Sequence, residues 1–152
     1  MRRSLRFEKT LKVRDTCLCL HAQQAARALA RHFDNAFRSL KLTSGQFSLL
    51  MSLNRPEPPS MGEVAALLGM DRTTLTAALK SLQRRRLVSA RPDKNDRRSR
   101  RLLLTASGRA LLTDAYPLWE AAHAEVEAGL APPAPEGLRT GLMGIVHHLN
   151  KA

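Results

Sequence analysis

Between Ser60 and Arg85 two short helical patterns sit on either side of a single glycine, and this punctuation constrains the fold more than any other feature. Ser60-Met-Gly-Glu63 reads as a capping box. The serine hydroxyl accepts from an amide of the first helical turn, and the glutamate three residues on reaches back to the serine amide. The box opens a short helix to about Leu68. Gly69 supplies a sharp turn, because glycine enters the left-handed region at little steric cost. Asp71 is a good N-cap for a second helix, from about Arg72 to Arg85. Two helices joined by a tight, glycine-containing turn make a helix-turn-helix unit.

The flanking sequence supplies a frame for that unit. Leu87-Val-Ser-Ala-Arg91 reads as a short strand, Pro92-Asp-Lys-Asn-Asp96 as a turn-rich loop and Arg100-Arg-Leu-Leu-Leu104 as a returning strand, which together form a two-stranded wing. Thr105-Ala-Ser-Gly108 starts a helix to about Gly129, with a kink expected near Thr113 to Tyr116 because Pro117 lies inside it. Pro132, Pro133 and Pro135 form a loop before a last helix from about Glu136 to Leu149. Upstream, Thr43-Ser-Gly-Gln46 is another capping box, opening a helix through Asn54 with Phe47, Leu50 and Met51 inward.

Before it, Leu18, Ala22, Ala25, Leu29, Phe33, Ala36 and Leu40 recur at helical steps, predicting one long helix from about Asp15 to Leu40. Such a helix is roughly 39 Å long, which suggests packing against a partner subunit. Residues 1–14 are basic and weakly periodic. They read as a flexible arm or short extension, with a solvated tail equally open.

The expectation is a mainly α chain with a small two-stranded β-wing: a winged helix-turn-helix with long N- and C-terminal dimerisation helices. The basic arm covers 1–14, the helical dimerisation region 15–42 and 106–152, and the winged unit 43–105.

Charge locates the working surface. The formal net charge is +12 over 152 residues. From Arg72 to Arg101 eleven basic residues face only Asp93 and Asp96, and from Met1 to Arg14 six face only Glu8. The remainder is slightly acidic, so the positive charge is confined to two patches and points to a polyanion.

On the second helix of the unit, Leu75, Ala78, Leu79 and Leu82 share the inward face. Arg72, Thr73, Thr74, Thr76, Lys80 and Arg84 are candidates for DNA contact, since cations and hydroxyls suit phosphates and base edges in a major groove. In the wing, Asp96-Arg97-Arg98-Ser-Arg100-Arg101 gathers four guanidinium groups that would repel one another on a free surface. They are tolerated beside phosphates, or with one in the minor groove. Asp96 can hold one of them through a charge-assisted bond.

In this order, Leu87-Val88, Asp96-Arg97-Arg98 and Leu104-Thr105-Ala106-Ser107-Gly108 resemble the MarR family of bacterial regulators over about Cys17 to Leu130. The resemblance implies an obligate homodimer of triangular outline, built on the first and last helices. It also implies that Arg98 enters the minor groove and that Asp96 supports the wing. One departure is Arg86, where the family often has glycine before Leu-Val. A left-handed residue there costs about 1 kcal/mol without glycine. Either the turn differs, or Arg86 accepts the strain to add a phosphate contact.

Cys17 and Cys19 have two open readings. They are small apolar packing residues, or redox-sensing thiols, because the run around Cys19 resembles the organic-peroxide-sensing branch of the family. Gln23 stands where that branch would place a tyrosine. On one helix the two thiols would diverge. Tyr116 and Trp119, with His21, are candidates for a crevice between the dimer helices and the DNA-binding lobe, where the family binds small phenolic or acidic effectors. Plain dimer packing is the alternative.

The five histidines and two cysteines offer no zinc spacing, and no nucleophile–base set or phosphate-cradling glycine loop is present, so neither an enzyme, a metal nor a cofactor is expected. No apolar run is long enough to span a bilayer, no secretory signal is visible, and a cytoplasmic protein with no membrane partner is expected. The expected function is a sequence-specific transcriptional regulator, a repressor, that binds a pseudo-palindromic operator as a homodimer and is released by a small ligand or an organic hydroperoxide. The competing expectation is a sequence-indifferent architectural DNA-binding protein.

Overall fold

The computed structural model describes residues 4–96 and 98–150. The elements in chain order are α1 (Phe7–Thr16), α2 (Leu18–Ala36), a 3-10 turn (Arg38–Leu40), α3 (Ser44–Leu53), α4 (Met61–Leu68) and α5 (Arg72–Arg84), followed by β1 (Val88–Pro92), β2 (Arg100–Leu104), α6 (Ala106–Ala128) and α7 (Ala134–Leu149). The fold is mainly helical with one antiparallel hairpin, which places Val88 opposite Leu104 and Pro92 opposite Arg100.

Both capping boxes form. The Thr43 hydroxyl accepts from the Gln46 amide, and the Ser60 hydroxyl accepts from the Glu63 amide. Asp71 caps α5 through the Thr74 amide at 2.8 Å. These caps satisfy amides that a helix start leaves without a partner.

The core lies wholly in the central lobe. Phe37, Leu42, Phe47, Leu49, Leu50, Leu53, Val64, Leu75, Leu79, Leu82, Leu87, Val88, Leu102, Leu104 and Leu112 form one buried cluster. Leu75, Leu79 and Leu82 bury the inner face of α5 as the pattern predicts, with Ala78 packed against the cluster. Full burial of one leucine stabilises by about 2 kcal/mol. Met51 is a correction: it is 37% exposed at the surface and lies outside the core.

α4 and α5 end in the same way. Gly69 is left-handed at φ 62°, with the Met70 amide bonded to the Ala65 carbonyl. Arg86 is left-handed at φ 56°, with the Leu87 amide bonded to the Leu82 carbonyl and the Arg86 amide to that of Gln83. The second set is a Schellman motif. The turn before Leu-Val therefore keeps its left-handed geometry, and Arg86 accepts the strain.

Gly108 is required at the start of α6. A Cβ there would sit 2.1 Å from the Leu87 carbonyl oxygen. The Thr105 hydroxyl accepts from the Gly108 amide and donates to the Arg86 carbonyl, tying α6 to the hairpin base.

Two expectations for the outer helices need correction. Residues 7–16 form the helix α1, which fits the short extension and not the flexible arm, the two readings of this segment. The single long helix is broken at Cys17, which is extended at φ −76° and ψ 105°, and its end is the separate 3-10 turn after Ala36. α6 is one helix from Ala106 to Ala128 with Pro117 inside it.

Candidate nucleic-acid interface

Arg72, Thr73, Thr74, Thr76, Lys80 and Arg84 are all exposed on α5, opposite its buried leucines. Two of the hydroxyls are already in use. Thr74 donates its hydroxyl to Asp71 Oδ2 at 2.8 Å, and Thr76 donates to the Arg72 carbonyl at 2.7 Å. They therefore offer methyl groups and lone pairs, and Thr74 serves first as a partner of the cap. Asp71 is held below the usual carboxylate range mainly by the Thr74 amide and hydroxyl, so it stays ionised as a cap. Arg72, Lys80 and Arg84 form no ion pair among the described residues.

The wing divides its charges between structure and surface. Arg98 and Arg100 are exposed, without an ion pair among the described residues. Arg97 lies outside the described residues. Asp96 pairs with no guanidinium among the described residues: its Oδ1 accepts from the Arg98 backbone amide at 2.9 Å, and its carbonyl accepts from the Ser99 amide. It supports the wing by shaping the loop.

The carboxylate that does hold an arginine is Asp93. It is buried, accepts from the Asn95 and Asp96 amides, and pairs with Arg101 Nε. The Asn95 amide, then Arg101, hold Asp93 below the usual carboxylate range. Arg101 Nη1 also reaches Glu63 Oε2 at 3.1 Å. Sequence reasoning assigned Asp93 and Glu63 no part in the interface. The available signal was the register, which brings residues 91–93 beside 99–101 across the hairpin.

Arg85 is likewise withdrawn from the surface charge. Its guanidinium donates to the Lys41 carbonyl at 2.8 Å and to the Leu40 carbonyl. Arg72, Lys80 and Arg84 on α5 and Arg98 and Arg100 on the wing remain exposed cations without an ion pair among the described residues, with Arg86 at the joint between the two.

The proposed crevice residues separate. Tyr116 and Trp119 line a cleft of about 460 Å³ with Phe47, Ser48, Met51 and Leu67. Tyr116 and Met51 also line a neighbouring cleft of about 410 Å³ with Asn54 and Arg109. The Glu120 carboxylate pushes the Tyr116 phenol up, which keeps it a neutral donor. His21 belongs to neither cleft. Its Nε2 lies 2.9 Å from the Arg14 carbonyl, bracing α1 on α2.

The cysteines do not share a helix. Cys17 is the N-cap of α2, its sulfur accepting from the Leu20 amide at 3.4 Å, while Cys19 is exposed on the first turn with Gln23 Nε2 at 3.2 Å. Divergence along one ideal helix is therefore not the geometry of this pair. Cys19 borders an apolar groove of about 940 Å³ between α2 and α7, with Ala22, Ala26, Ile145 and Leu149.

The recognition helix, the glycine turn before it and the basic hairpin after it together define a winged helix-turn-helix protein. A family model described as the MarR family matches residues 40–99. The M. tuberculosis transcriptional regulator MosR, solved in complex with DNA, superposes with a TM-score of 0.79 and 35% identity, over 90% of this chain and 100% of that one. BadR of Rhodopseudomonas palustris, a transcriptional activatory protein, is 35% identical over 89 residues, covering 57% of this chain and 51% of BadR. The transcriptional repressor NicR of Pseudomonas putida is 38% identical over 77 residues, covering 51% of this chain and 49% of NicR. The chain thus spans about half the length of these two curated relatives. The chain belongs to the MarR family.

Proposed function

We propose that the chain is a sequence-specific DNA-binding transcriptional regulator, acting as a homodimeric repressor on a pseudo-palindromic operator. The observation that carries this reading is the set of exposed cations on α5 and the wing, opposite a fully packed inner face. α5 enters the major groove, and Arg98 reaches the minor groove from the wing. Cytoplasmic localisation follows from the partner, and no described helix is long and apolar enough to cross a membrane.

Two features support the dimer. α2 and α7 bury no residue, and Leu138, Leu142, Met143, Ile145, Val146 and Leu149 of α7 are all 40% exposed or more. An apolar stripe of that extent calls for a second copy. The dimer then sets the spacing of two recognition helices at about one helical turn of DNA.

Release follows if an effector favours a dimer whose spacing mismatches the operator. The clefts at Tyr116 and Trp119 suit a small aromatic acid, with Arg109 close to its carboxylate. Cys19, exposed at the groove between α2 and α7, suits an organic hydroperoxide as the alternative trigger.

Anisotropy titration of the upstream region of its own gene, in competition with random duplex, tests the reading. The expected result is a preference of about a thousandfold or more and a steep salt dependence. Equal affinity for both duplexes returns the architectural reading. Repeating the titration with a phenolic acid or with cumene hydroperoxide separates the two release routes.

A further inference from the structure

Arg101 is the last arginine of the wing run, and among its described residues it is the arginine paired with carboxylates of the protein. Its Nε is paired with buried Asp93, and its Nη1 lies 3.1 Å from Glu63 Oε2 and 3.4 Å from the Pro58 carbonyl. The backbone makes the same connection: the Leu102 amide donates to the Pro59 carbonyl at 2.9 Å, and Ser60 bridges Arg101 along the outer edge of β2. Glu63 meanwhile closes the capping box of α4, because the same Oε2 accepts from the Ser60 amide at 2.7 Å. One carboxylate oxygen therefore serves the start of α4 and the base of the wing.

We infer that Glu63 is a positioning residue for DNA binding, which with Asp93 holds Arg101 as a strut between α4 and the wing, so that the charge of Arg101 is engaged by protein carboxylates and fixes where Arg98 and Arg100 point. Arg98 and Arg100 lie within three residues of that strut, on the outer part of the hairpin beyond Val88, Leu102 and Leu104, which anchor its base in the core. Two carboxylates offset the single guanidinium, so the cluster brings no net positive charge to a phosphate. Both carboxylates titrate below the usual range, Glu63 mainly through the Ser60 amide and Asp93 mainly through the Asn95 amide, so the cluster stays ionised near neutral pH.

The inference rests on the DNA-binding reading, and the sign of one substitution tests it. Glu63→Gln keeps the cap, since glutamine serves at that position of a capping box. It removes a negative charge, and plain electrostatics then predicts tighter DNA binding. The strut predicts the reverse: operator binding weaker by about threefold to tenfold despite the gain in net charge. Asp93→Asn should act in the same direction.

The measurements are operator anisotropy on the full chain, thermal melting to confirm folding, and hydrogen exchange of the wing amides Ser99 to Leu102 without DNA. Faster wing exchange together with weaker binding in a folded Glu63→Gln protein supports the strut. Binding that is equal or tighter, or wing exchange that is unchanged, overturns it. If the parent chain does not bind its operator, the DNA-binding reading fails alone, and the exchange result still decides the strut.

Discussion

The central lobe and the outer helices are built on opposite terms. From Phe37 to Ala115 the chain closes a core of its own, with capped helices and satisfied turns. α1, α2 and α7 bury no residue, and α7 meets the rest of the chain through little more than the Arg139–Glu127 ion pair. The apolar stripe predicted for the first helix is present and largely uncovered, with Leu18 71% exposed. The lobe can specify its shape alone. α2 packs on the lobe through its C-terminal half, at Phe33, whereas the apolar face of α7 is left exposed among the described residues; the proposed second copy would cover it.

Substitutions in the two regions should fail differently. Leu75→Ala or Leu82→Ala, at fully buried sites, should cost about 2–5 kcal/mol, read as a lower urea midpoint that does not depend on protein concentration. Leu142→Glu on exposed α7 should leave the lobe folded by circular dichroism but halve the mass in light scattering, with operator affinity falling as the paired half-sites are lost. An unchanged mass would erase the contrast between the regions.

Within the lobe, Arg98→Ala should weaken operator binding by about 1–3 kcal/mol and lower the salt slope by about one, without shifting the melting temperature. Arg86→Gly should raise stability by about 1 kcal/mol by relieving the left-handed strain, measured by urea unfolding. Loss of stability there would mean that the Arg86 side chain supports the fold.

The smallest effect is the pH response of the wing. Asp93 has a folded pKa below its unfolded value, so its stabilisation is present above the usual carboxylate range and is lost as pH falls through the folded value. Wing amide exchange, corrected for its intrinsic rate, should be flat near neutrality and quicken only under acid. In Asp93→Asn that acid limb should shrink to the part that Glu63 contributes.

What was legible in the sequence was local. Thr43 with Gln46, Ser60 with Glu63, and Asp71 before α5 each act within four residues, and all three form as read. The hairpin was legible because turn residues and apolar strands leave few alternatives.

What was missed depends on partners distant in the chain. Arg85 was counted with the surface charge, yet it serves the Leu40 and Lys41 carbonyls. Glu63 and Arg101 are thirty-eight positions apart and meet only because residues 58–60 lie along β2. The break between α1 and α2 has no glycine or proline to announce it, and a cysteine sulfur is an unusual cap. His21 was grouped with Tyr116 and Trp119 without the helix α1 in view, and its ring is held at the Arg14 carbonyl.

The missing side chain at Gly108 has a mechanical consequence. Helix and hairpin meet there with no clearance, and a joint without clearance has no backlash. A displacement of α6 is not taken up at its first turn; the Leu87 carbonyl, and with it the root of the wing, must travel along. The seat of the long helix on the root of the hairpin is thereby set by one absent methyl group.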